Sequence, residues 1–152
     1  MDHSLLAQSP IFKGLDESEL ARVAEICETR SMKYDEFVFR EGDEGDRLYI
    51  IGKGEVRISR DVPGMGEEAL AVLKQGACFG EMAVLDRSQR STDAIVESAC
   101  DLVMITRTDF EALLASDPAL AHKVLWSVIR LLCHRLRSTN DSLQSILIMA
   151  MF

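Results

Sequence analysis

Glycines that punctuate short apolar runs are the feature that most restricts how this chain can fold. They recur through the middle of the sequence, at Gly42, Gly45, Gly52, Gly54 and Gly76, and lie between apolar stretches of a few residues. Glycine adopts turn conformations without steric cost, and short apolar runs separated by turns are typical of strands that fold back on one another. The spacing therefore predicts a set of short antiparallel strands.

Apolar residues in this region alternate with polar neighbours, as expected for strands that bury one face. The alternating pairs are Phe37 and Phe39, Leu48 and Ile50, Val56 and Ile58, Leu70 and Val72, and Val103 and Ile105. The segment 63–66, Pro-Gly-Met-Gly, predicts a hairpin tip between two of the strands. We therefore expect a β-roll whose inner face, including the aromatic residues, forms the core.

One segment combines side chains suited to a sugar hydroxyl with side chains suited to a phosphate. Gly80 admits close approach of a ligand, Glu81 can accept from a hydroxyl, and the apolar run 82–85 predicts one helical turn with free N–H groups. Arg90 can donate two parallel hydrogen bonds to phosphate oxygens, and Ser91 adds a hydroxyl and an N–H. A buried ion pair between Glu81 and Arg90 is the structural alternative, but it would require neither the glycine nor the hydroxyl. The segment therefore predicts a binding site for a ribose joined to a phosphodiester.

The same segment resembles the phosphate-binding cassette of the cyclic-nucleotide-binding domain family, which includes catabolite activator proteins and the regulatory subunits of protein kinase A. It reads Phe79-Gly80-Glu81-Met82-Ala83-Val84-Leu85 and then, after a short loop, Arg90-Ser91-Thr92. Thr92 and Asp93 replace the family's commoner small pair, which brings an extra carboxylate close to the phosphate pocket. The resemblance implies that the ligand-binding residues are Phe79, Gly80, Glu81, Met82, Ala83, Arg90, Ser91 and Thr92.

The acidic segment 41–46 and the apolar run 48–51 extend this resemblance upstream, to the family's glycine-punctuated β-roll. The resemblance then covers most of residues 9–140. The acidic turn has a second interpretation as a calcium loop, but it lacks the ligand spacing and the closing glutamate of an EF-hand. We expect a solvated hairpin and no metal site.

Helices are predicted on both sides of the roll. Asp16 and Glu19 form a capping-box signal for a helix whose apolar face carries Leu20, Val23, Ala24 and Cys27. Thr108 is expected to open a short helix, and Asp117 followed by Pro118 is expected to open the last one. The expected single domain has a helical lead-in at 1–35, a β-roll at 36–107 with the cassette at 79–92, and C-terminal helices at 108–152.

The last helix carries apolar residues at steps of four and three, the pattern of a coiled-coil seam. Its members are Leu125, Ile129, Leu132, Leu136, Thr139, Leu143, Ile146 and Ala150. A helix this long exceeds what the roll can cover, which favours a parallel homodimer over packing on the chain's own domain. The family resemblance also implies that Thr139 and Asn140 lie over the nucleotide base.

Composition excludes several other functions. The formal net charge of −8 disfavours a surface for DNA or anionic membranes, and the longest apolar run, 146–152, is too short to span a membrane. The twelve residues after Asn140 are too few for the helix-turn-helix of the family's transcription factors. The four cysteines are scattered, which favours reduced thiols in a cytoplasmic protein. The histidines have no metal-ligand spacing, so we expect neither an enzyme nor a resident cofactor.

Together these patterns predict an α+β fold, an antiparallel jelly-roll-like β-roll with N-terminal helices and a long dimerisation helix. The predicted function is a cyclic nucleotide receptor in signal transduction, whose ligand moves the last helix. Ser91 after the arginine resembles the family's adenine-binding members, which implies cyclic AMP rather than cyclic GMP, and a cyclic dinucleotide remains a third ligand. The alternative from another class is a ligand-independent interaction module that keeps the same fold and docks a partner through its helix.

Overall fold

The computed structural model describes residues 3–151 and places helices before and after a central antiparallel sheet. Its helices are α1 (His3–Gln8), α2 (Glu17–Glu25), α3 (Glu81–Asp86), α4 (Arg107–Ser116) and α5 (Pro118–Met151). Its strands are β1 (Glu28–Met32), β2 (Phe37–Phe39), β3 (Arg47–Val62), β4 (Gly66–Leu73), β5 (Cys78–Phe79) and β6 (Asp93–Thr106). The predicted α+β arrangement, with N-terminal helices and a long C-terminal helix, is confirmed.

Two long antiparallel strands, β3 and β6, form the centre of the sheet. Their neighbours give the order β1–β6–β3–β4, while β2 pairs with β6 and β5 pairs with β3. The pairing of β3 with β6 shifts register three times between Ile51 and Val56, and such bulges bend a sheet. Gly54 lies at this bend with φ +85°, and a Cβ there would overlap the Ala99 carbonyl. The bend curls the strands into the predicted roll.

Both faces of the central strands are buried, which corrects part of the predicted pattern. Leu48, Ile50, Val103 and Ile105 pack against the helices rather than inside the roll. The interior of the roll is formed by their neighbours in sequence and by residues of β2 and β5: Phe39, Tyr49, Ile51, Phe79, Leu102 and Met104. Because the helices cover the outer face with their own apolar residues, alternation alone does not identify which parity points inward.

Strand β4 is exposed, contrary to the prediction for Leu70 and Val72. The side chains of these residues are 58% and 44% exposed, respectively. β4 lies at the edge of the sheet and pairs with β3 alone among the described strands. An edge strand is paired on one side only, and here Leu70 and Val72 remain in solvent.

The predicted caps are mostly confirmed. Asp16 and Glu19 form the capping box of α2, and the Asp117 carboxylate accepts from the Leu120 N–H at 3.1 Å at the start of α5. The cap of α4 lies two residues earlier than predicted, at Thr106 rather than Thr108, because the Thr106 hydroxyl accepts from the Asp109 N–H. The strands also begin earlier, with β1 inside the segment assigned to the helical lead-in.

Helix α5 contacts its own domain for about five turns, as far as Arg135, and then extends beyond it. Its buried residues are Leu120, Val124, Ser127 and Val128, and Leu132 is half-buried against the same cluster. At 1.5 Å per residue, the 34-residue helix is about 51 Å long. Farther along it, Leu136 and Leu143 are 62% and 54% exposed. Among the described residues, no helix is both long and apolar enough to cross a membrane.

Candidate ligand-binding site

The helical turn predicted in the cassette is α3, and a glycine shapes its entry. Gly80 precedes α3 with φ +76°, in the left-handed region that favours glycine. A Cβ at this position would lie 2.8 Å from Nη1 of Arg90 and 3.2 Å from the Tyr49 ring. Any larger residue would therefore push the cassette arginine and the first turn of α3 apart.

Arg90 is buried beneath this turn with 4% of its surface exposed. Its Nη1 donates to the Gly80 carbonyl at 2.7 Å, and its Nη2 donates to the Arg47 carbonyl at 2.6 Å. The guanidinium lies 4.2 Å from the centroid of the Phe39 ring, in cation–π geometry. Burial lowers the pKa of Arg90, but a guanidinium still keeps its charge at neutral pH. Its Nε is buried without a partner, so one N–H of the guanidinium makes no hydrogen bond.

The acidic segment 41–46 holds the backbone of Arg90. The Gly42 N–H donates to the Arg90 carbonyl at 2.9 Å, and the Arg90 N–H donates to the Asp43 carbonyl at 2.8 Å. The extra carboxylate, Asp93, accepts from the Glu41 N–H at 2.7 Å and so braces the same segment. Among the described residues there is no cluster of three or more side chains suited to a metal. The acidic segment 41–46 therefore fixes the position of the Arg90 backbone.

Glu81, the first residue of α3, is 1% exposed and is paired with a residue of α5. Its Oε1 forms an ion pair with Nη1 of Arg135, whose Nη2 donates to the Cys78 carbonyl at 2.7 Å. Burial lowers the pKa of Arg135. The other carboxylate oxygen of Glu81, Oε2, is buried and has no partner. The predicted alternative, an ion pair between Glu81 and Arg90, is not formed.

Arg135 was missed by the sequence interpretation, although a signal for it exists. It lies seven residues after Val128 and four after Leu131, on the side of α5 that faces its own domain. A lone cation on the buried side of an amphipathic helix predicts a buried acidic partner. The seam residues lie on a neighbouring face of α5, so the heptad pattern does not include Arg135.

The remaining cassette residues divide into core and surface. Phe79 is buried and stacks on Tyr49, with ring centroids 5.1 Å apart, and Ala83 is also buried. Met82 is 54% exposed, Ser91 is exposed and Thr92 is half-buried. The structure thus gathers the predicted residues around one turn. Phe79 and Ala83 are buried, whereas Met82, Ser91 and Thr92 lie closer to the surface.

Thr139 and Asn140 lie apart from the cassette in a single chain. Both are exposed on α5, one turn beyond Arg135. The Thr139 hydroxyl donates to the Arg135 carbonyl at 2.9 Å, a bond within the helix. The predicted contact of these residues with a nucleotide base remains a prediction.

A cavity of about 240 Å³ reaches Arg90 from the interior of the roll. Its walls include Phe39, Tyr49, Arg47 and Asp46, while Gly80 and Glu81 are not among them. The buried guanidinium therefore has open space beside it.

Comparison with known proteins places this site in a family. A family model described as a cyclic nucleotide-binding domain matches residues 29–117, from β1 to the end of α4. The chain belongs to this family. The matched range includes the whole cassette, so the resemblance seen in the sequence is confirmed.

Its relatives include regulators and receptor domains. The cyclic AMP receptor protein of Thermus thermophilus is 34% identical over 132 residues, which are 87% of this chain and 59% of that protein. A cyclic nucleotide-binding domain from Methylobacillus flagellatus superposes with a TM-score of 0.82 at 29% identity, over 91% of this chain and 78% of that one. The regulatory domain of Toxoplasma gondii PKA, crystallised with cAMP, gives 0.68 at 34% identity, over 73% and 42% of the two chains. The chain thus spans about three fifths of its curated Thermus relative.

Proposed function

We propose that the chain is a cyclic nucleotide receptor module that takes cyclic AMP and signals through α5. The observation that carries this proposal is the pair of buried polar atoms without partners in the cassette, Oε2 of Glu81 and Nε of Arg90. One is an acceptor and the other is a charged donor. Buried groups of this kind are costly unless something satisfies them. A ribose hydroxyl that donates to Glu81 and a phosphate oxygen that accepts from Arg90 would satisfy both.

The neighbouring residues complete the proposed contacts. Ser91 is exposed beside Arg90, so its hydroxyl and N–H are open to the same phosphate. The carbonyls of Gly80 and Arg47 fix the plane of the guanidinium before any ligand arrives, which reduces the entropy lost on binding. In this proposal Thr139 and Asn140 reach the base from α5, either from the same chain or from a second copy.

Signalling is proposed to pass through Arg135, because its guanidinium joins the ribose carboxylate to α5. Arg135 is the charged partner of the Glu81 carboxylate. A ribose hydroxyl that donates to this carboxylate would compete with Arg135 for its negative charge. The Glu81 carboxylate of this ion pair is buried, so a change in the geometry of the pair is costly and would be transmitted to the helix. Hydrogen exchange along α5 should therefore differ with and without cyclic AMP, and identical exchange would contradict this step.

Cyclic AMP is proposed over cyclic GMP and cyclic dinucleotides. Ser91 follows the arginine as in the adenine-binding members that the cassette resembles, and the Thermus relative is named a cyclic AMP receptor protein. Calorimetric titration of the parent chain with cyclic AMP, cyclic GMP and cyclic di-GMP tests the proposal. We expect the tightest binding for cyclic AMP; binding of none of the three would overturn the receptor function.

Homodimerisation through the exposed face of α5 is part of the proposal. Leu136, Leu143 and Leu147 are each more than half exposed and recur on one side of the helix. The formal charge of −8 opposes a nucleic acid or an anionic membrane as the cover for this face. A second copy in parallel buries the same residues against themselves.

One observation favours the ligand-independent module as a second candidate. The Nη atoms of Arg90 already donate to carbonyls, and Oε1 of Glu81 already has Arg135, so much of the site is satisfied without ligand. Such a module would dimerise but would bind no cyclic nucleotide. The calorimetric titration, combined with sedimentation of the same sample, distinguishes the two functions.

A further inference from the structure

Helix α3 is too short to hold its own position. It has six residues, and isolated helices of this length are unstable in water. The last four carbonyls of any helix have no partner within it, and in α3 these include the Ala83 carbonyl. Residues outside the helix must therefore satisfy this end and fix where it lies.

Arg107, the first residue of α4, supplies that support from 24 residues away in sequence. Its Nη2 donates to the Ala83 carbonyl at 3.2 Å and also to the Gly45 carbonyl. Its backbone N–H donates to the Asp46 carbonyl at 2.7 Å. A cation near the C-terminal end of a helix also interacts favourably with the helix dipole. Arg107 thus joins the acidic segment, α3 and α4 at one point.

Direct packing makes this junction tight. A Cβ on Gly45 would overlap the Cβ of Ala83, so the acidic segment and α3 are in contact with no space between them. A second link, from Arg87 to Glu111 of α4, is solvent-exposed on both sides, and exposed pairs contribute little. Arg107, whose Nε is buried, is therefore the main connection between α3 and α4.

We propose that Arg107 is a positioning residue that aims the Glu81 carboxylate at the ribose hydroxyl. Ala83 is two residues after Glu81 on the same short helix, so a shift of its carbonyl moves the carboxylate as well. The contacts of Arg107 are to backbone oxygens outside Glu81 and Arg90. The inference rests on the proposed function, since it assigns a purpose to the placement of α3.

The test compares Arg107→Met and Arg107→Lys with the parent and with Arg22→Met as control. Arg22 forms an ion pair with Asp117 away from α3, so its loss measures general destabilisation. The readout is the ratio of dissociation constants for cyclic AMP and its 2′-deoxy analogue. We expect the parent to prefer the ribose form by about tenfold, because the hydroxyl bonds to a charged group.

Arg107→Met should reduce this preference to about threefold or less, since a displaced carboxylate no longer meets the hydroxyl. Arg107→Lys keeps a charge and should retain part of the preference, and it provides the measurement if the methionine variant does not fold. Arg22→Met should match the parent. A parental preference in Arg107→Met, or equal weakening of both nucleotides there, would overturn the inference.

Hydrogen exchange of residues 81–86 without nucleotide separates this inference from the proposed function. Exchange in α3 should be several-fold faster in Arg107→Met than in Arg22→Met, because the helix has lost its main support. If the parent binds no cyclic nucleotide, the proposed function fails, and the assigned purpose of Arg107 fails with it. The exchange result still decides whether Arg107 positions α3.

Discussion

The cassette and the distal half of α5 depart from ordinary protein structure in opposite ways. The cassette buries polar atoms that lack partners, in Glu81 and Arg90. Distal α5 exposes apolar side chains that lack cover, at Leu136 and Leu143 among others. Buried polar atoms without partners and exposed apolar side chains each cost free energy, which a bound ligand or partner would recover. The chemistry of each feature indicates what would bind there. A polar, charged small molecule suits the cassette, and an apolar helix face suits α5.

Arg135 joins the two regions. It reaches from α5 into the cassette, so the helix with the exposed apolar face is attached to the carboxylate with an unpartnered oxygen. In most of the fold, helices contact the roll through apolar side chains, and such contacts respond little to a polar ligand. An ion pair with a buried carboxylate responds directly, which makes this the point where the two proposed binding events would influence each other.

The largest expected effect concerns the exposed apolar face of distal α5. Leu136→Glu combined with Leu143→Glu should convert the dimer to monomer at a cost of at least about 5 kcal/mol, because four leucines per dimer lose burial. Sedimentation measures it, with Ser138→Glu combined with Ser145→Glu as the matched control on the opposite side of the helix.

Cross-linking sharpens the same test. Cys133 is exposed and directly follows Leu132, so it flanks the proposed seam. Cys78 and Cys100 are buried, and burial raises the pKa of Cys27 to about 12, so these thiols react slowly. A short bis-maleimide should link two copies through Cys133 in the parent and not in the double-glutamate variant. A monomeric parent would contradict the seam.

The next effect removes the charged donor of the cassette. Arg90→Ala should weaken cyclic AMP binding by about 3 kcal/mol, because a buried phosphate loses its charged partner. The exposed Arg60, paired with Glu41 at 3.1 Å, provides Arg60→Ala as the control for charge alone. Calorimetry decides the result, and parental affinity in Arg90→Ala would remove this arginine from the site.

A smaller effect concerns the acceptor of the cassette. Cyclic AMP at a hundredfold excess over its dissociation constant should stabilise the parent by about 2.7 kcal/mol and raise its melting temperature. Glu81→Ala should lower that stabilisation by about 1.5 kcal/mol, the value of one hydrogen bond to a charged group. The 2′-deoxy analogue should bind the parent more weakly than cyclic AMP but bind the variant almost equally. Equal penalties in both proteins would exclude Glu81 from the ribose contact.

The smallest effect tests whether α5 reaches the ligand. Thr139→Ala should weaken cyclic AMP by about 1 kcal/mol and reduce selectivity over cyclic GMP while the dimer persists. Ser142→Ala is the matched control, because its hydroxyl donates to the carbonyl four residues earlier just as Thr139 does. If both variants bind like the parent, the two regions meet through Arg135 without a base contact from Thr139.

Part of this structure could be predicted from the sequence because it depends on interactions between residues close together in the chain. The capping box at Asp16, the cap at Asp117, the hairpin tip at 63–66 and the turn of α3 each depend on residues within a few positions of one another. The cassette could be recognised for the same reason, since its glycine, carboxylate and arginine lie within eleven residues. Local rules act before the chain is folded, so they can be applied without knowing the fold.

The tertiary structure decided what depends on distant segments. Which parity of β3 and β6 points into the roll followed from helices that cover the other face, and the exposure of Leu70 followed from the edge position of β4. The partner of Glu81 is 54 residues away, at Arg135, and the partner of the Gly45 carbonyl is 62 residues away, at Arg107. No local pattern relates residues at such separations. The sequence by itself determined which polar and charged residues the cassette contains, and the fold determined which arginines hold them in place, because that choice is made only when α4 and α5 pack against the cassette.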